Sequence, residues 1–168
     1  MVCWTANIIA RLQESRGRIV AARASLQPLA PSPDTSHVAA TVSAPVVLIV
    51  DDEREVRELF AQVLLADGIR SVQAPTAEQA WTLLERGLVP AAVLLDLQMP
   101  GMGGLGFLLR IRAEPRFAKL PVTVVTADSY IAAPTRTAVE ALGAQVSFKP
   151  LEFDDILALA HRMIVSPA

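Results

Sequence analysis

From residue 45 onward the chain alternates two hydrophobic rhythms. Val46–Val50 is an unbroken apolar run. Over Glu53–Ala66, Val56, Leu59, Phe60, Val63 and Leu64 recur at three- and four-residue spacing, the stripe of an amphipathic helix. The exchange then repeats. Ser71–Ala74 reads as a short strand, and Thr76–Arg86 as a helix with Thr76 as N-cap and Gly87 past its end. Ala91–Leu95 is a second solid run, and a glycine-rich loop, Pro100 to Gly104, leads into a helix over residues 105–113. Pro121–Thr126 is a third run, and the helix over 131–142 stops at Gly143. Gln145–Phe148 and Glu152–Ile164 complete a fifth strand–helix unit. Strands apolar on both faces, alternating with helices, predict an α/β fold: a five-stranded parallel sheet with five helices, doubly wound as a three-layer α/β/α sandwich. In such sheets the functional site lies beyond the carboxyl ends of the strands.

Residues 1–44 break this rhythm. Residues 3–26 have a loose helical pattern, and residues 27–45 are punctuated by Pro28, Pro31, Pro33 and Pro45. This stretch carries four Arg against Glu14 and Asp34, so it is basic, whereas 45–168 is acidic. The expected division is therefore a poorly ordered basic extension and linker over 1–44 and one folded domain over 45–168. The net charge of −2 argues against a nucleic-acid-binding surface. No apolar run approaches the ~20 residues of a membrane-spanning helix. A single cysteine, Cys3, excludes an internal disulfide or a cysteine-based zinc site and fits a reducing, cytoplasmic setting. Arginine dominates the positive charge, 13 against 2 lysines, Lys119 and Lys149.

The strand ends carry the chemistry. Asp51, Asp52 and Glu53 follow the first run, Asp96 the third strand, Thr126 ends the fourth, and Lys149 follows the fifth. Singly these are ordinary residues. Asp52 and Glu53 could cap the next helix, Thr126 could be a turn residue and Lys149 a solvated one. Together they are less ordinary. Three carboxylates on one rim repel unless a cation compensates them. With no Cys or His nearby, the donor set suits a hard divalent ion, Mg²⁺. Lys149 adds a point charge suited to a phosphate or carboxylate oxygen. A metal, an ammonium and a hydroxyl around a carboxylate make a phosphoryl site, and the carboxylate can be the nucleophile.

Four stretches resemble the receiver domain of bacterial two-component response regulators, in the single-domain form of the chemotaxis regulator. They are Val47–Glu53, Ala92–Gly104, Val124–Ala127 and Ser147–Pro150. The resemblance runs over residues 46–165 and implies a flavodoxin-like fold. It also implies roles. Asp96 is the phosphoacceptor, charged by a histidine kinase or histidine phosphotransfer protein. Asp51 and Asp52 bind Mg²⁺ with Asp96 and the backbone carbonyl of Gln98. Thr126 is the switch hydroxyl, Ala127 keeps space beside it, Lys149 pairs with the phosphoryl group, and Pro150 follows a cis peptide bond. Gln98 and Asp128 tune the phosphate lifetime. One position departs from the pattern: the switch aromatic three residues before the lysine is Val146. Phe148 lies on the same strand face and is expected in the core rather than as a replacement switch.

The resulting expectation is a non-enzymatic receiver that signals through another protein, contacting it around residues 129–164. Two alternatives stand beside it. One is a receiver-like module that works without phosphate, suggested by Val146. The other is an Asp-nucleophile phosphatase. It would need a second aspartate two residues after the nucleophile, where this chain has Gln98.

Overall fold

The computed structural model describes residues 45–127 and 131–165. The five strands are β1 (Val46–Val50), β2 (Arg70–Ala74), β3 (Ala92–Leu95), β4 (Val122–Thr126) and β5 (Gln145–Phe148). Between and after them come α1 (Arg54–Ala66), α2 (Ala77–Glu85), α3 (Gly103–Ala113), α4 (Ala133–Ala141) and α5 (Phe153–Val165). The sheet is parallel throughout, in the order β2-β1-β3-β4-β5.

The two edge strands, β2 and β5, are only partly buried, whereas β3 and β4 are buried along their whole length. That is why β3 and β4 read as solid apolar runs and the edges do not. Alternate residues point to opposite faces. On one face Leu48, Val50, Val93, Leu95 and Val124 pack with Trp81 and Leu84 of α2 and Phe107, Leu108 and Ile111 of α3. On the other, α1 packs beside α5, and the hydroxyl of Thr123 donates to Sδ of Met163 in the interior. Among the described residues no helix is long and apolar enough to cross a membrane.

The helix signals act locally as expected, with two exceptions. Thr76 caps α2, its hydroxyl oxygen accepting from the Gln79 N–H at 3.2 Å. Gly87 and Gly143 follow α2 and α4 with φ of 97° and 67°, the left-handed region glycine tolerates. The first exception is α3, which starts at Gly103, inside the glycine loop rather than at residue 105. The second is Phe148, which is not a core residue: it is 36% exposed. It ends an edge strand, and α4, the neighbouring helix, buries only Val139. Val146, two residues earlier, is half-buried against the core. The basic extension over 1–44, Asp128 and the first two residues of the 129–164 surface lie outside the described residues.

Candidate functional site

All five strands run in one direction, so Asp51, Asp96, Ala127 and Lys149 all lie one residue past a strand end on the same rim. Asp51 is 3% exposed and Asp96 5% exposed, whereas Asp52 points to solvent. One oxygen from each of the three lies within 4.8 Å of the others. The donors are all carboxylate oxygens. This set fits a hard divalent cation such as Mg²⁺, with water completing its shell.

Lys149 is drawn inward. Its backbone N–H donates to the Thr126 carbonyl at 2.8 Å, extending the β4–β5 ladder by one bond. Its ammonium donates to Asp51 Oδ2 at 2.6 Å and stands 3.8 Å from Asp96 Oδ1 and 3.9 Å from Glu53 Oε1. Its side chain is only 9% exposed. Breaking a buried pair of this kind by removing one partner strands the other charge. The Lys149–Pro150 peptide bond is cis.

Asp51 is held at both oxygens. Oδ2 takes the lysine, and Oδ1 accepts from the Glu53 N–H at 2.9 Å. Glu53, the residue before α1, forms no side-chain cap. The acidic run after β1 therefore serves the rim more than the helix. Burial pushes the Asp96 carboxyl up to about 6. The Lys149 ammonium works against that rise, the charges of Asp51 and Asp52 reinforce it, and the Gln98 backbone N–H opposes it. Thr126 is fully buried at the end of β4, while Ala127 and the Gln98 side chain are exposed.

Two residues that the sequence reading did not single out bond to backbone near this rim. Arg57, in the first turn of α1, donates from Nη1 to the carbonyls of Asp51 at 2.7 Å and Asp52 at 3.0 Å. Glu78, in the first turn of α2, accepts from the Met102 N–H at 2.7 Å. Nothing in their spacing marks them, since each bonds to backbone rather than to a chemically distinctive side chain.

Residues 47–161 match the response regulator receiver domain family. The chain belongs to that family. A receiver protein from Pseudomonas putida has 31% sequence identity, with a TM-score of 0.66 over 71% of this chain and 98% of that one. The chemotaxis protein CheY4 of Vibrio cholerae, at 21% identity and TM-score 0.66, covers 72% of this receiver chain and shares its fold. Among curated relatives, protein-glutamate methylesterase/protein-glutamine glutaminase 1 of Cereibacter sphaeroides is 36% identical over 126 residues, 73% of this chain and 32% of its own length. Response regulator Rre1 of Synechocystis is 42% identical over 82 residues, 48% of this chain and 35% of its own length. This receiver thus spans about a third of the length of each of these two relatives.

Proposed function

We propose that this receiver is a phosphorylation switch with Asp96 as its phosphoacceptor. The observation that carries the reading is the buried Lys149 ammonium within 4 Å of both Asp51 and Asp96, a cation kept dry beside a carboxylate. An oxygen of Asp96 attacks the phosphorus of a phosphohistidine on a histidine kinase or phosphotransfer protein. The P–N bond breaks, the imidazole leaves and takes a proton from solvent, and an aspartyl phosphate remains. Lys149 neutralises a phosphoryl oxygen, and the Thr126 hydroxyl donates to another. Asp51, Asp52, Asp96 and the Gln98 carbonyl would hold Mg²⁺, which would supply the remaining charge neutralisation. Arg57 keeps the Asp51–Asp52 turn in place.

The receiver is not itself an enzyme in this reading. It acts in the cytoplasm, where a kinase supplies the phosphoryl group, and signals through a partner protein at α4, β5 and α5. The Val146 position supports a second reading, a module whose partner contact ignores phosphate. Gln98 speaks against a phosphatase that would need a second aspartate there. Incubation with acetyl phosphate and Mg²⁺, followed by intact-mass measurement, tests the proposal. One added phosphoryl group is expected on wild type and none on Asp96→Ala. Multiple turnover of a small phosphomonoester would favour the phosphatase instead.

A further inference from the structure

The segment from Asp96 to α3 is poorly secured by its own residues. Met102, which precedes α3, makes no side-chain cap, and the first turn has no acidic residue. Gly103, Gly104 and Gly106 fill that turn, each weakening a helix by about 1 kcal/mol relative to Ala. Met99 anchors the middle of the segment by burial, and the Gly104 N–H donates to the Leu97 carbonyl at 3.2 Å. The stretch between them is held from elsewhere. The Met102 N–H donates to Glu78 Oε1 at 2.7 Å, 24 residues upstream on α2.

The sequence is arranged to let that carboxylate in. Gly101 has φ of 80°, and a Cβ there would stand 2.7 Å from Glu78 Oε1. Glu78 is in turn held by its own backbone N–H and by the Thr76 hydroxyl, and these bonds, Met102 foremost, keep its carboxyl below the usual range. A strap thus runs from the α2 cap to the loop that contains Gln98. Gly104 closes the loop's other end against the Asp96 backbone, where a Cβ would lie 2.1 Å from the Asp96 carbonyl oxygen.

We infer that Glu78 is a positioning residue for the phosphoacceptor loop: by accepting from the Met102 N–H it fixes residues 97–102, and with them the Gln98 carbonyl that would share in holding the cation. The inference rests on the phosphoacceptor reading above. Glu78 touches neither phosphoryl group nor metal. It acts through one backbone hydrogen bond, so a glutamine, which keeps an oxygen acceptor, should replace it and an alanine should not.

The test compares Glu78→Ala with Glu78→Gln in the full chain. Mg²⁺ affinity is measured by calorimetry, Asp96 labelling by acetyl phosphate, and Met102 amide exchange by NMR. Glu78→Ala should bind Mg²⁺ and label about three- to tenfold more weakly, the net size of one ordinary hydrogen bond, with faster Met102 exchange. Glu78→Gln should stay within about twofold of wild type. A folded Glu78→Ala chain with wild-type affinity and labelling overturns the inference, as does a Glu78→Gln chain that falls equally far. Should Glu78→Ala fail to fold, Glu78→Met, which keeps the side chain's length and lacks the oxygen acceptor, must give the same loss. If wild type neither binds Mg²⁺ nor labels, the phosphoacceptor reading has failed and the inference falls with it. Failure confined to the variants' predicted loss leaves that reading standing.

Discussion

Burying the Asp96 carboxylate among two other aspartates costs the folded receiver free energy, and the Lys149 ammonium offsets only part of it. Asp96→Asn removes the charge and keeps the shape. It should raise the melting temperature of the metal-free protein at neutral pH by about 3 °C or more, as calorimetry in chelator would show. The sign with pH follows. The folded-state pKa of about 6 lies above the ordinary 3.8, so between these values the folded chain holds a proton that the unfolded chain has lost. The penalty is full above about pH 6 and fades as pH falls towards 4. The advantage of Asp96→Asn should shrink over that window. An advantage that grows on acidification would contradict the burial of this charge. Lys149→Met has the opposite logic. It leaves Asp51 and Asp96 without their cation, so it should destabilise the fold by about 1–3 kcal/mol in urea unfolding, and slow labelling as well.

At the scale of elements, the rim depends on how closely strand ends and helix starts approach. Gly104→Ala is the sharpest case, because the new methyl meets backbone at 2.1 Å rather than a side chain that could swing away. The expected cost is about 1–3 kcal/mol of stability by chemical unfolding, together with reduced labelling of Asp96. Unchanged stability would mean that the segment after β3 is looser than described. Strands and helices were legible in the order and spacing of apolar residues, and Asp51, Asp96 and Lys149 because a parallel sheet places strand ends on one rim. What was not legible was supplied by contacts remote in sequence. Glu78 and Arg57 bond to backbone carbonyls and amides, which every residue has, so no spacing announces them. Phe148 was misplaced because period-2 alternation says which face a residue takes. It does not say how far along an edge strand the covering helix reaches.

At the scale of the whole molecule, the sheet order places the acidic rim at one end, and the proposed reading takes β5, with α4 and α5, as the edge from which a signal is read. Val146 occupies the position of the expected aromatic and is wedged against the core, while Phe148 stands part-exposed beside the strand end. In the proposed reading, phosphorylation shifts a two-state equilibrium of that edge only as far as the phosphoryl group contacts the two states differently. A pull-down with and without beryllofluoride and Mg²⁺ should recover a partner preferentially from the beryllofluoride arm. Equal recovery, unaffected by Asp96→Ala, would favour the phosphate-independent module. The most direct measurement is the location of the acyl phosphate. After acetyl phosphate and Mg²⁺, borohydride reduction converts an aspartyl phosphate to homoserine, which peptide mass spectrometry can place. Homoserine at position 96 is the predicted result; its absence, or its appearance at Asp51 or Asp52 instead, would contradict the assignment of Asp96 as phosphoacceptor.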